Sequence, residues 1–138
     1  MMEFSLKDGE KVRTTKAESA SATVIPAGAL VTLDGGGLVI KAIATSTLLA
    51  WCPNGKVSGA LDCEITLGRD FTLIGNGSAA AVFAKAQRGT TCDIQGTTTV
   101  TINNGATSQN VIRIGVSKDA GVVGTATGIE FRIEKNLF

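Results

Sequence analysis

Histidine and tyrosine are both missing from the 138 residues, and tryptophan occurs once, at Trp51. Without histidine, Ser/His/Asp and Cys/His activation of a nucleophile is excluded, as are nearly all common catalytic zinc sites. With five Phe as the only other aromatics, the chain has little from which to build stacking platforms for a carbohydrate. An excess of one charge is lacking too. Thirteen Lys+Arg stand against 12 Asp+Glu, a formal net charge of +1, which gives no broad positive field for nucleic acid or an anionic membrane surface. Partners are therefore expected to be proteins. No apolar run approaches the roughly 18 residues of a membrane span, and the opening MMEFSLKDGEKVR has no apolar signal-peptide core. The chain is expected to be made in a cytoplasm.

Cysteine is scarce and oddly spaced. Cys52, Cys63 and Cys92 lie 11 and 29 residues apart, which fits neither a zinc pair nor a redox Cys-x-x-Cys, and an odd number leaves no complete disulfide set. They are expected to be reduced, buried thiols acting as small apolar side chains.

What the chain does contain favours strands. Hydrophobic residues make up 43% and there are 17 Gly, with many Thr, Ala and Val, a mixture suited to strands and turns. Residues 25–42, IPAGALVTLDGGGLVIKA, read as a β-hairpin, with Gly35-Gly36-Gly37 turning one alternating segment into Leu38-Val39-Ile40. Residues 47–52 form a short apolar run stopped by Pro53-Asn54-Gly55. Trp51 in that run reads as a plug of the core or of a subunit interface. Cys63, Ile65 and Leu67 alternate with polar neighbours, as do Phe71, Leu73 and Gly75. Val100 and Ile102, then Ile112, Ile114 and Val116, and last Ile129, Phe131 and Ile133 continue the pattern. Such alternation implies antiparallel strands with one face buried and one wet.

Residues 78–87 break it. Ser78 as N-cap, the alanines and the Arg88-Gly89 stop predict one short α-helix. The fold class expected is all-β: a small antiparallel β-barrel or sandwich spanning residues 23–138, with that helix and an extended N-terminal arm over residues 1–22. In the arm, Lys7, Lys11, Arg13 and Lys16 are interleaved with Glu3, Asp8, Glu10 and Glu18. It reads either as a frayed solvated terminus or as a segment ordered against a neighbouring subunit. Phe4 and Leu6 favour the second, and both could also pair with Val12 across a turn.

Several motifs are weighed and set aside. Gly75-Asn76-Gly77-Ser78-Ala79-Ala80, with Asp93 further on, has the outline of a dinucleotide-binding turn, but the surrounding antiparallel pattern offers no βαβ unit. No cofactor and no metal are expected. The pairs Asp62/Glu64 and Glu130/Glu134 fall on solvated strand faces rather than in a pocket. Asn76-Gly77-Ser78 matches a glycosylation sequon that is empty without a secretory route, and Lys118-Asp119 reads as a charged loop tip. No catalytic residue is assigned, and the chain is not expected to be an enzyme.

Four segments together carry a resemblance: Ile25-Pro26-Ala27-Gly28 opening the hairpin; Val82-Phe83-Ala84-Lys85-Ala86-Gln87-Arg88-Gly89; Cys92-Asp93-Ile94; and the run from Ile112 through Arg113, Ile114, Gly115, Val116, Ser117, Lys118 and Asp119 to Gly121. Over roughly residues 14–134 the chain resembles the small decoration (cement) proteins of tailed-bacteriophage heads. The resemblance implies a structural virion protein that binds the outside of a capsid through the major capsid protein, commonly as a homotrimer, and stabilises it. It implies location on the capsid surface of the virion, after assembly in the host cytoplasm. It also gives Lys7, Lys11, Arg13 and Lys16 a role opposite capsid acids and leaves Trp51 as a candidate interface residue. The alternative is a non-catalytic binding module of a phage tail or fibre, for carbohydrate or a receptor.

Overall fold

Side chains that alternate between apolar and polar can bury one face of a strand, and glycine and asparagine turns let successive strands return across that face. The computed structural model describes residues 4–8, 13–68, 71–77, 82–96 and 100–137. Within them lie β1 (Ser5–Asp8), β2 (Arg13–Glu18), β3 (Ala29–Leu33), β4 (Val39–Lys41), β5 (Ala50–Cys52), β6 (Asp62–Leu67), β7 (Thr72–Gly75), β8 (Thr91–Gln95), β9 (Thr101–Asn103), β10 (Ile112–Ile114) and β11 (Ile129–Ile133). They form a six-stranded sheet in the order β1-β7-β11-β10-β8-β9 and a five-stranded sheet in the order β2-β6-β5-β3-β4. Every ladder between these strands is antiparallel. The chain is thus all-β, and of the two architectures expected it is the sandwich and not a closed barrel.

The hairpin at residues 25–42 forms as its pattern predicts, with Val31↔Lys41, Thr32↔Ile40 and Leu33↔Val39 in register. Its turn is set by Asp34 as much as by the glycines. The Asp34 carboxylate accepts hydrogen bonds from the amides of Gly36 at 2.8 Å and Leu38 at 3.0 Å, an Asx-type closure. Of the three glycines only Gly37 requires positive φ, at 82°.

Two hydrophobic clusters result. The larger lies between the sheets and contains Leu30 and Trp51 from one side and Leu73, Cys92, Ile112, Ile114, Ile129, Phe131 and Ile133 from the other. Phe4 meets Phe131 edge-on at 5.2 Å between ring centroids, and Trp51 lies 6.0 Å from Phe71. Complete burial of each such side chain stabilises the fold by about 2–3 kcal/mol. The smaller cluster lies on the opposite face of the five-stranded sheet, where Ala29, Val31, Val39, Ala50, Cys52, Cys63, Ile65 and Leu67 pack with Ile25, Ala17 and Leu137. That sheet is therefore buried on both faces, which is why residues 49–52 read as a continuous apolar run instead of an alternating one. It curls around the smaller cluster: the Ser19 hydroxyl, just beyond edge strand β2, donates to the Val39 carbonyl of the opposite edge strand β4 at 3.0 Å.

Three expectations are corrected. Residues 5–8 and 13–18 are not an extended arm; β1 pairs with β7 and β2 with β6 along six registered positions. The anchor is Phe4, 1% exposed, whose ring fits over Gly75, where a β-carbon would collide with it. Leu6 accordingly pairs with Leu73 and not with Val12, and Val12 lies outside the described residues. Of the helix expected over residues 78–87, residues 78–81 lie outside the described residues, and residues 82–87 hold only a 3-10 turn, Lys85–Gln87. Lateral hydrogen bonds from Phe83 N to Thr125 O at 2.8 Å and from Gly124 N to Phe83 O at 3.0 Å hold Phe83 extended while its ring enters the core. At Phe83 tertiary pairing overrides the local helix propensity. Trp51, finally, is 2% exposed and donates from Nε1 to Gly28 O at 3.0 Å, so it is a plug of this chain's own core and presents nothing to a neighbouring subunit.

Candidate functional site

The outer face of the six-stranded sheet carries an open groove of about 560 Å³, lined by the charged and polar groups of Lys7, Thr72, Arg113, Asp119, Glu130 and Arg132 together with Ile114 and Val116. Strand alternation places these groups. On β11, Ile129, Phe131 and Ile133 point into the core, so Glu130 and Arg132 point out. On β10, Ile112 and Ile114 are buried and Arg113 is exposed. Lys7 comes from edge strand β1 and Thr72 from β7, the strands between which and β10 the outward side chains of β11 stand.

Register then decides the electrostatics. Arg113 and Arg132 are direct cross-strand partners, a juxtaposition of like charges that needs compensation. Glu134 supplies it with a two-pronged contact, from Arg113 Nε to Glu134 Oε2 and from Arg113 Nη2 to Glu134 Oε1, both 3.1 Å. These hydrogen bonds, and behind them the carboxylate charge, push the Arg113 guanidinium above its ordinary value. Arg113 Nη1 also donates to Gly89 O at 2.6 Å, tying the sheet to the turn after the 3-10 segment. Arg132 Nε donates to Thr72 Oγ1 at 3.3 Å. Lys7 Nζ lies 3.8 Å from Glu130 Oε1, with the lysine side chain 52% exposed and the glutamate 13%. Chemically the groove offers oriented guanidinium and ammonium donors on a stiff sheet. Of its hydroxyls, Thr72 Oγ1 accepts from Arg132 Nε and Ser117 Oγ accepts from the Asp119 amide at 3.2 Å.

Of the residues singled out in the sequence as cations opposite a partner, Lys7 lies in this groove. Lys16 does not: it sits on β2 of the other sheet, paired with Glu64. Arg13 begins β2 opposite Leu67, and Lys11 lies outside the described residues. The structure thus separates Lys7 from Lys16 and puts Lys7 with Arg113, Glu130 and Arg132 instead. Alternation in the sequence already put Arg113, Arg132, Glu130 and Glu134 on wet faces. Their convergence depends on the strand order β1-β7-β11-β10, which no local pattern encodes.

The other buried charges serve the fold. The Asp93 carboxylate, 6% exposed, accepts from the amides of Ser108 at 3.2 Å, Gln109 at 2.7 Å and Asn110 at 2.9 Å. It closes the loop in which Asn110 adopts φ 54°. The glycines of the suspected phosphate turn are packing positions, Gly75 against Phe4 and Gly77 against Ile129, whose Cδ1 would lie 2.8 Å from an added β-carbon. All three cysteines are buried free thiols. Burial pushes the Cys52 and Cys92 thiols up to about 12 and raises that of Cys63 as well.

No helix among the described residues is long and apolar enough to cross a membrane. Comparison of the chain with protein-family models, with curated proteins and with solved structures finds no match in any of the three.

Proposed function

We propose that the chain is a structural virion protein, a decoration protein that binds the outer surface of a bacteriophage capsid through the major capsid protein and stabilises it, as a homotrimer. The observation that carries this reading is the groove over β1, β7, β11 and β10, where Lys7, Arg113 and Arg132 stand on a rigid sheet with acidic neighbours. Such a face suits docking on a protein surface of mixed charge, and the resemblance in four segments supplies the identity of that surface. A cement protein needs stiffness and repeated modest contacts and no reactive centre. Contacts multiplied by symmetry give an avidity far above that of one contact.

The test is co-sedimentation with purified mature capsids, followed by thermal disruption of the loaded capsids. Saturating protein is expected to raise the disruption temperature. Bound protein with unchanged capsid stability, or no binding at all, would count against the reading, and a glycan array with specific hits would move it to the tail- or fibre-module class.

A further inference from the structure

Two groups of exposed aliphatic side chains lie outside the groove, and the charges at their rims are of opposite sign. The first stands on the ribbon that residues 19–25 form against residues 56–61. Ile25 and Lys56 exchange both backbone hydrogen bonds. The next pair out is Val24 opposite Val57, and alternation turns these two away from the buried Ile25 and Lys56. Further along the ribbon the Ser19 amide donates to Leu61 O at 2.8 Å, which sets Leu61 beside the pair Glu18↔Asp62 at the start of β6. Two carboxylates directly opposite each other destabilise a ladder, and among the described residues neither has an ion-pair partner. The second group is built around Phe83. Its backbone is held by Thr125 O and the Gly124 amide, and Gly121 lies against its ring, so Val82, Val122 and Val123 come to the surface around it. Arg88 reaches over the same ring, 6.0 Å from its centroid, and donates to Lys118 O at 2.9 Å. Lys85 opens the 3-10 turn between Phe83 and Arg88. Asp119 offsets only part of this positive charge, and among the described residues none of the three cations is in an ion pair. The six aliphatic side chains of the two groups are between 48% and 73% exposed.

We propose that the acidic patch of one copy of the chain seats on the basic patch of the next, a heterologous contact that repeats head to tail and closes into a ring. Exposed apolar surface rimmed by polar groups marks a protein contact. Here each patch supplies what the other lacks: aliphatic side chains meet at the centre, while Glu18 and Asp62 face Lys85, Arg88 and Lys118 at the rim. A two-fold contact centred on either patch would bring like charges together, so the complementarity selects the head-to-tail arrangement. The one cation beneath the acidic patch, Lys56, turns its ammonium inward to the carbonyls of Ala20, Ser21 and Thr23, which leaves the two carboxylates for a partner. The inference deepens the homotrimer of the proposed function and rests on that part of the reading alone: the ring forms in the free chain, and capsid docking is left to the groove.

The test is light scattering of the purified chain over a concentration series at low salt. Glu18→Lys with Asp62→Lys reverses one rim, and Lys85→Glu with Lys118→Glu reverses the other. All four side chains are exposed, so the melting temperatures should stay near that of the wild type. Each double variant is expected to associate about tenfold or more weakly than the wild type, because like charges then meet across the contact. The quadruple variant, with both rims reversed, regains complementarity and is expected to associate as the wild type does. Should a reversal lower the melting temperature, Glu18→Gln with Asp62→Asn and Lys85→Gln with Lys118→Gln carry the comparison through their loss of association alone. A wild-type chain that is still monomeric at about 1 mM, a double variant that associates as the wild type does, or a quadruple variant no better than the doubles would overturn the inference. Double variants that keep their oligomer and lose capsid binding would also overturn it, since the capsid would then be the occupant of these patches. A ring that forms and responds to the variants as expected, yet binds no capsid, supports this inference and counts against the proposed function instead.

Discussion

Lys56 is 5% exposed, and among the described residues its ammonium is held by no carboxylate. Three carbonyls take its protons instead: Ala20 O at 2.7 Å, Ser21 O at 3.3 Å and Thr23 O at 2.6 Å. One side chain thereby ties together the turn between β2 and the hairpin: Ala20 O and Ser21 O also accept from the amides of Thr23 and Gly59, and the ammonium adds a charged donor to both and to Thr23 O. Lys56→Met keeps the stem and removes all the donors. It is expected to cost about 2–4 kcal/mol in urea unfolding, given the strength of hydrogen bonds to charged groups. A loss within about 0.5 kcal/mol would mean that water replaces the ammonium without penalty.

The thiols make a second prediction at this scale. Cys52 and Cys92 are raised from 9.0 to about 12 by burial. Between those values the unfolded chain has lost the thiol protons and the folded chain retains them. Stability is therefore fully present below about pH 9 and falls as pH rises toward 12, by about 1 kcal/mol per thiol per pH unit. Urea midpoints of the wild-type chain and of Cys92→Ala, measured from pH 8 to 11, check this: the variant should show the shallower decline.

At the scale of the element, β1 depends on a single fit. Phe4 fills the space that Gly75 leaves, and Phe4 N also donates to Gly28 O at 3.1 Å. Gly75→Ala is expected to cost about 1–3 kcal/mol by overpacking, and Phe4→Ala about 3–5 kcal/mol by leaving a cavity. The double variant should cost clearly less than their sum, since alanine at position 4 removes the atoms that the new methyl meets. Strict additivity in a double-mutant cycle would show that the ring does not depend on the glycine. The same pair explains what could be read beforehand. The hairpin, the strand of residues 129–133 and the buried thiols were legible because local alternation and turn chemistry determine them. β2 was hidden because it is an edge strand whose Thr14, Thr15 and Lys16 are all exposed, a composition that suits a protected edge as well as a solvated tail. Over residues 82–84 the expected helix gives way for the complementary reason: propensity is local, while the hydrogen bonds that hold Phe83 come from residues about 40 positions away.

For the whole molecule, the two sheets present different charged faces, and the capsid reading becomes sharpest when they are set against each other. Lys7 and Arg132 stand in the groove of the six-stranded sheet, whereas Lys16 stands on the edge of the five-stranded one. Lys7 and Lys16 were open to the same role when only the run of N-terminal cations was visible, and strand order now makes them separable. Lys7→Glu combined with Arg132→Glu reverses two charges in the groove and leaves both cores intact. Surface substitutions of this kind should leave the melting temperature nearly unchanged. If the groove docks on acidic groups of a capsid, the double variant loses about tenfold or more in capsid affinity, chiefly at low salt, because exposed charges are screened over about 10 Å at 0.1 M. Lys16→Glu, on the other sheet, should bind as the wild type does. The reverse result, with Lys16→Glu defective and the groove variant intact, would move the docking face to β2 and remove the groove from the proposal, and equal loss in both would mean that binding reads net charge and not a particular face.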